Sequence, residues 1–270
     1  MNSGVRLRVA AVQTVSGGDV DANLAQAEPL IAQAAAEGAR LVVLPESFGI
    51  LGARATDKLA VRETEGDGVQ QAFLARLAQA HAIWLVGGTV PLASADPARV
   101  RSASLMYGPD GRRVARYDKI HLFAFARRDE RYDEGKTIEP GADVVTVELP
   151  CGRVGLSVCY DLRFPELYRA MGTLALILVP AAFTATTGAA HWHLLLRARA
   201  VENQCYVLAA AQGGVHPGGR RTYGHSMLID PWGSVVAEHG HGPGIIVGDV
   251  DPARLATVRE ELPALAHRVL

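Results

Sequence analysis

Short apolar runs of strand length alternate with helical patterns in the first third of the chain, and this alternation constrains the fold most strongly. Residues 7–13 (LRVAAVQ) and 41–44 (LVVL) are largely apolar, which is typical of strands buried on both faces. Between them, apolar residues recur at helical spacing from 24 to 35. A second helical pattern over 69–81 precedes another strand candidate at 83–89. Repeated strand–helix–strand units predict an α/β fold.

The middle of the chain has a different pattern, which predicts antiparallel hairpins. Residues 103–107 and 112–117 flank the turn sequence Pro109-Asp110-Gly111, and 144–149 and 154–158 form a second pair. Further strands are predicted at 175–179, 206–211, 227–229 and 245–250, with a helix at 192–203. Together these segments predict mixed sheets. Because no linker, repeat or low-complexity segment is evident, we expect one domain over residues 1–270.

Composition excludes several classes of partner. The chain has 27 Lys and Arg against 28 Asp and Glu, a balance that argues against nucleic-acid binding. No stretch approaches the ~20 consecutive apolar residues of a membrane helix, so we expect no membrane partner. Met1–Arg8 has no long apolar region after its basic residues, and we expect no signal peptide.

The three cysteines, Cys151, Cys159 and Cys205, cannot all pair, so we expect reduced thiols in the cytoplasm.

Reactive side chains follow two of the apolar runs directly. The run 41–44 ends in Pro45-Glu46, and the run 154–158 ends in Cys159. Reactive groups of open α/β sheets gather beyond the carboxyl ends of strands, so a carboxylate and a thiol placed there can share one crevice. The alternative is that Glu46 begins a loop and Cys159 packs as a small apolar residue.

A charged segment supplies a third candidate group. Residues 116–123 (RYDKIHLF) mix ionisable and large apolar side chains, unlike a plain solvated face. A half-buried Lys119 near a thiol would lower the pKa of the thiol and could stabilise a developing oxyanion. A surface lysine with a packed stem is the alternative. Carboxylate, lysine and thiol together would make a competent nucleophilic site.

These segments resemble the motifs of a known superfamily. The stretches VVLPES at 42–47, DKIHLF at 118–123 and GLSVCYDLRFPELYR at 155–169 are similar to the three catalytic motifs of the nitrilase (carbon–nitrogen hydrolase) superfamily. The first strand and the segments 190–212 and 223–237 resemble its Nit branch. The resemblance covers essentially the whole chain.

The resemblance implies a role for each matching residue. Cys159 would be the nucleophile, Glu46 the general base and acid, and Lys119 the cation that stabilises the oxyanion. Glu134 would support the lysine, and the Tyr160 backbone N–H would be a second oxyanion donor. Substrate-binding positions fall on Arg163, Phe183 and Thr184.

Two points stay open at the catalytic carboxylates. The loop after Lys119 varies in length within the superfamily, so Glu130 competes with Glu134 for the supporting role. Since Glu46 would act as base, acid and base again, we expect its pKa to lie near the working pH.

The resemblance also implies a fold and a reaction. The fold would be a four-layer α-β-β-α sandwich, and the chain would pair as a homodimer. The reaction would be hydrolysis of a small acidic amide through a thioester, without a cofactor. Deaminated glutathione is the first substrate candidate, with α-ketoglutaramate and N-carbamoyl amides as alternatives. A catalytically silent scaffold is the alternative from another class, although a silent chain has no need of the full Glu46, Lys119 and Cys159 set.

One position departs from the superfamily pattern. Relatives usually carry Gly-Pro-Ala-His-Trp-Glu where this chain has Gly188-Ala189-Ala190-His191-Trp192-His193. The lost acid is expected near the pocket, which puts the exact substrate in doubt. His191 and His193 also form an H-x-H pair, but they point to different faces of a helix and no further ligand cluster is evident. We therefore predict no metal site.

Overall fold

A computed structural model describes residues 4–127 and 130–269. Met1–Ser3, part of the segment considered for a signal peptide, lie outside the described residues. In chain order, the strands are β1 (Leu7–Gln13), β2 (Leu41–Val43), β3 (Trp84–Val86), β4 (Val90–Ala93), β5 (Val100–Tyr107), β6 (Arg113–Asp118), β7 (Ala124–Arg127), β8 (Glu130–Asp133), β9 (Thr146–Leu149), β10 (Gly152–Leu156), β11 (Leu176–Ala181), β12 (Tyr206–Ala211), β13 (Ser226–Ile229), β14 (Val235–His239) and β15 (Gly244–Val250).

Six α-helices lie in the described residues, and the longer ones cover the outer faces of the sheets. They are α1 (Val20–Ala36), α2 (Asp57–Ala60), α3 (Val69–His81), α4 (Pro165–Ala170), α5 (Ala185–Asn203) and α6 (Pro252–Glu261), with short 3₁₀ turns at Glu134–Lys136, Cys159–Arg163, Pro217–Gly219 and Ala264–His267. Among the described residues, no helix has both the length and the apolar character needed to cross a bilayer.

Two mixed sheets form the centre of the molecule. The first has the order β15-β1-β2-β3-β5-β4, with β6 paired to β5, and the second has the order β14-β13-β12-β11-β10-β9. Strands β1, β2 and β3 are parallel, as are β10, β11 and β12, whereas the flanking strands are antiparallel. The hairpin β7–β8 stands apart from both sheets.

Alternating side chains of β1 reach two different cores, which explains its continuous apolar sequence. Val9 and Ala11 belong to an apolar cluster that includes strands of the second sheet, whereas Ala10 and Val12 pack with α1 and α3. Successive strand residues point to opposite faces, so both faces must be apolar.

Helix α5 covers the outer face of the second sheet. Trp192, Leu196 and Ala200 recur every fourth residue, and all three are fully buried. The layers are therefore helix, sheet, sheet and helix, which confirms the predicted four-layer α-β-β-α sandwich with mixed sheets.

Candidate active site

The parallel strands of both sheets deliver their carboxyl ends to one crevice. Glu46 follows β2 of the first sheet, and Cys159 follows β10 of the second. Lys119 comes immediately after β6, and Glu134 immediately after β8. The structure thus brings together the four residues proposed from the sequence as catalytic.

Lys119 is the centre of this group. Its side chain is fully buried, and its Nζ donates to Glu46 Oε1 and to Glu134 Oε2, each at 2.7 Å. Burial alone would lower the pKa of Lys119, but the carboxylates of Glu134 and Glu46 raise it well above its usual value. The lysine is therefore a fixed cation.

Each of the two carboxylates also accepts one backbone N–H. Glu46 Oε2 accepts the Ala182 backbone N–H at 3.0 Å, which joins the first sheet to the end of β11. Glu134 Oε2 additionally accepts the Phe123 N–H at 2.8 Å. Glu130, the competing glutamate, instead accepts the Thr186 hydroxyl at 3.0 Å. In the described structure, Glu134 is therefore the partner of Lys119.

The nucleophile candidate rests as a protonated thiol. Cys159 is buried, and burial together with the charge of Glu46 raises its pKa well above the 9.0 of an ordinary thiol, although Lys119 opposes this. Burial also disfavours the charged form of Glu46, but Lys119 outweighs it and holds the pKa of Glu46 below the usual 4.5. An ionised carboxylate consequently faces a neutral thiol, and it can take the proton as the sulfur attacks.

Our expectation that the pKa of Glu46 lies near the working pH is wrong for this resting state. The neighbouring ammonium of Lys119 stabilises the carboxylate form before any substrate binds. The proton that Glu46 needs as an acid must then come from the thiol during the reaction itself.

A flat pH profile is therefore expected for kcat/KM. Glu46 loses its charge only below its lowered pKa, and the thiol ionises only far above the usual value, so the rate should vary little between about pH 5 and about pH 8.5. Initial rates over this range in buffers of constant ionic strength provide the measurement. A sigmoidal limb with a midpoint near neutrality would contradict the assigned charge states.

The backbone presents Cys159 in an unusual conformation. Its φ of 51° lies in the left-handed region, at the start of the 3₁₀ turn Cys159–Arg163. Such backbone strain persists only where neighbouring contacts hold it. Tyr160 is the next residue of that turn, and the first N–H groups of a helical turn have no acceptor within it.

Asp161, which was not predicted as a functional residue, provides those contacts. Its buried carboxylate accepts the Val158 N–H at 2.8 Å, the Tyr117 hydroxyl at 2.7 Å and the His121 N–H at 3.0 Å. His121 Nδ1 lies 2.7 Å from the same carboxylate. Asp161 therefore fixes the turn of the nucleophile against the segment that carries Lys119.

A close backbone approach fixes the turn that carries Glu46. Gly88 has a φ of 35°, and a Cβ at this position would lie only 1.8 Å from the carbonyl oxygen of Pro45. The Thr89 hydroxyl then accepts the Ser47 N–H at 2.9 Å. Only glycine lets the two strand ends pass this closely.

Two adjoining cavities share this site. The larger has a volume of about 450 Å³ and is lined by Glu46 and Glu134, and the smaller recess opens on Cys159. The recess is also lined by the three substrate-binding positions expected from the sequence, Arg163, Phe183 and Thr184.

Those three side chains differ in what they can offer a ligand. Phe183 packs on Trp192, and its ring forms an apolar wall of the recess. The Thr184 hydroxyl caps α5 by accepting the Thr187 N–H, so it is already engaged. The Arg163 guanidinium lies over the Phe183 ring and 3.3 Å from His191 Nδ1. His193, expected near the pocket, lines neither cavity.

Five basic side chains that were not predicted from the sequence line the larger cavity, and three of them, Arg54, Arg131 and Arg221, are exposed. Lys58 and Arg220 are half-buried, and no salt bridge in the described part of the chain engages them. Burial lowers the pKa of Lys58, and the carboxylates of Glu134 and Glu46 oppose this shift only in part. The Arg220 Nε is buried without a partner among the described residues. No local motif marks these positions, since α2 and the Pro217–Gly219 turn meet only in the folded chain.

Comparison with known proteins agrees with this fold and arrangement. The family model described as carbon–nitrogen hydrolase matches residues 8–260. The chain is 42% identical over 266 residues to the deaminated glutathione amidase of Synechocystis, with 96% of this chain and 97% of that protein covered. It is 36% identical to human omega-amidase NIT2, with 97% and 94% covered.

A solved structure extends the similarity to three dimensions. Saccharomyces cerevisiae Nit3, a member of branch 10 of the nitrilase superfamily, superposes with a TM-score of 0.86 at 33% identity, with 98% of this chain and 97% of that chain covered. The chain belongs to the carbon–nitrogen hydrolase family of the nitrilase superfamily. The family and enzyme class predicted from the motifs are thereby confirmed.

Proposed function

We propose that the chain is a cysteine-dependent amidase that hydrolyses a small acidic amide, deaminated glutathione, through a thioester. The observation that carries the proposal is the buried Lys119 ammonium, held at 2.7 Å by both Glu46 and Glu134 beside the Cys159 thiol. A complete set of base, cation and nucleophile also argues against a silent scaffold.

In the acylation half, Glu46 takes the thiol proton as Cys159 Sγ bonds to the amide carbon. The carbonyl oxygen becomes an oxyanion, stabilised by the Lys119 ammonium and the Tyr160 N–H. The C–N bond then breaks, Glu46 returns the proton to the departing nitrogen, and a thioester remains on Cys159. Glu134 orients Lys119 throughout.

In the deacylation half, Glu46 takes a proton from water as the water oxygen attacks the thioester carbon. The tetrahedral oxyanion again lies against Lys119 and the Tyr160 N–H. Its collapse breaks the C–S bond, and Glu46 returns the proton to the Cys159 sulfur as the acid leaves. The site is thus regenerated without a cofactor.

The charge of the larger cavity supports an acidic substrate. Lys58 and Arg220 are half-buried cations of its lining without a salt-bridge partner in the described structure. The catalytic carboxylates in the same lining, Glu46 and Glu134, are already paired with Lys119. Deaminated glutathione carries a carboxylate at each end, whereas α-ketoglutaramate carries one. A cavity of about 450 Å³ also suits the longer molecule. The deaminated glutathione amidase of Synechocystis is among the relatives, as is human omega-amidase NIT2, the alternative activity.

A substrate panel separates these activities. Deaminated glutathione, α-ketoglutaramate, N-carbamoyl-β-alanine and simple nitriles would each be assayed for release of amine or ammonia. The highest kcat/KM is expected for deaminated glutathione. Faster turnover of α-ketoglutaramate would transfer the assignment to ω-amidase, and absence of turnover with every compound would contradict the amidase proposal.

Lys58→Met tests the carboxylate contact separately from the chemistry. Loss of a charged hydrogen bond should raise KM for deaminated glutathione by about 10- to 100-fold, with a much smaller change in kcat. Arg62→Met is the matched control, because Arg62 is an exposed cation next to α2 that lines neither cavity. Equal KM values for Lys58→Met and the parent would show that this lysine does not bind the substrate.

We further propose one domain and a homodimer in the cytoplasm. Leu194, Val201 and Trp232 expose apolar side chains on and beside α5, with 68%, 48% and 54% of their surface accessible, and a partner copy would cover them. The three free thiols suit a reducing compartment. Sedimentation velocity at micromolar concentration should give a dimer, and a strict monomer would contradict this part of the proposal.

A further inference from the structure

Three side chains of types that can bind metal ions lie close together, away from the active-site cavities. His193 lies on α5, His225 directly precedes β13, and Glu238 lies on β14. Glu238 Oε1 is 3.0 Å from His193 Nε2 and 2.5 Å from His225 Nδ1. One ligand atom from each residue therefore falls within 4.8 Å of the others.

The backbone holds this cluster in place. Trp192, the fully buried neighbour of His193, donates its indole N–H to the His225 carbonyl at 2.9 Å. The His225 N–H donates to the Gly240 carbonyl at 2.8 Å, and Glu238 pairs with Met227 in the β13–β14 ladder. All three ligand candidates are thus positioned by contacts that do not involve a ligand.

The cluster is sheltered but still open to solvent on one side. The side chains of His193, His225 and Glu238 are 38%, 22% and 32% exposed. Tyr223 stacks on the His225 ring, and the His241 ring lies 4.9 Å from it on another side. Space therefore remains for a water ligand.

In contrast to the sequence-based prediction of no metal site, we propose that His193, His225 and Glu238 form a binding site for a divalent transition-metal ion of the Zn²⁺ class. Two imidazole nitrogens and one carboxylate oxygen are a common protein donor set for zinc, with water completing four-coordination. Each imidazole would bind through the nitrogen that now faces Glu238, with its proton on the other ring nitrogen. The bound ion would tie α5 to the β13–β14 hairpin.

Zinc titration of tag-free protein tests this site. We choose a Cys159→Ala background because the active-site thiol could also bind zinc. A chromophoric chelator in competition should report one tightly bound ion per chain, and Co²⁺ should give the visible absorption of a tetrahedral site. Zinc should also raise the melting temperature of this protein, since it binds the folded state.

Single substitutions locate the ion. His193→Asn and Glu238→Gln should each weaken zinc binding by at least the ~10- to 100-fold that loss of a supporting group costs. His191→Asn is the matched control: it removes an exposed imidazole from the same helix, and its affinity should equal that of the background.

Two results would contradict the proposed zinc site. Absence of stoichiometric zinc binding in the background protein, or equal affinities in His193→Asn, Glu238→Gln and His191→Asn, would overturn it and leave a hydrogen-bonded triad. Amide hydrolysis by chains with intact Cys159 does not enter this test, so the site and the proposed amidase activity can fail independently.

Discussion

Replacing the proposed nucleophile, Cys159→Ala, is expected to lower amide hydrolysis by at least about 10⁴-fold, because the substitution removes the thiol that forms the covalent intermediate. The exchange removes one buried sulfur and leaves Lys119 paired with Glu46 and Glu134. The measurements are steady-state turnover and the intact mass of acid-quenched protein; an acyl adduct is expected on the parent and should be missing in the variant.

Cys151→Ala is the matched control for this change. Cys151 is a buried free thiol as well, and burial raises its pKa to about 11, but it lies at the start of β10 and lines neither cavity. Its variant should keep the activity and the adduct. Parent-like hydrolysis by Cys159→Ala would disprove the mechanism, whereas equal losses in both variants would indicate damage to the fold.

Lys119→Met is expected to have the second-largest effect, on both rate and stability. Loss of one oxyanion-stabilising group lowers kcat by ~10²–10³-fold. The substitution also leaves the carboxylates of Glu46 and Glu134 largely buried without their shared cation, and removal of one partner from a buried ion pair costs about 3–5 kcal/mol. Turnover and urea unfolding of the same preparation measure the two effects together.

Lys136→Met is the matched control, because it removes an exposed lysine where Lys119→Met removes a buried one. Lys136 has a side chain that is 78% exposed and lies 3.6 Å from Asp133, so its loss should change neither quantity measurably. Should Lys119→Met fail to fold, Glu134→Gln provides the milder test, because Lys119 keeps its contact with Glu46. Parent-like turnover in Glu134→Gln and Lys119→Met alike would refute the proposed role of the lysine.

The fold was predictable where the local pattern is strong. The bounds of β1, α3 and β12 coincide with the apolar runs and helical spacing that predicted them. Helix α5 begins earlier than predicted, at Ala185, because Thr184 caps a first stretch of small residues with no clear apolar period. The hairpin β7–β8 escaped prediction, since its charged residues show no alternation.

The site was predictable only in part, for a different reason. Glu46, Cys159 and Lys119 stand at strand ends, so each carried a local signal, and the structure brings them together. Their catalytic roles remain predictions. The choice between Glu134 and Glu130 needed the path of the chain after Lys119. The positions of Lys58, Arg220 and the partners of His193 depend on contacts between segments far apart in the chain.

The hydrogen bond from the Ala182 amide to Glu46 makes catalysis sensitive to how the two halves of the molecule sit on each other. Glu46 belongs to one sheet and Ala182 to the end of a strand in the other. A small slide between the sheets would rotate the carboxylate away from the thiol while each sheet stayed intact. Heat or mild denaturant should thus abolish the catalytic activity before the chain unfolds. Substitutions that tighten the packing between the sheets should delay this loss of activity.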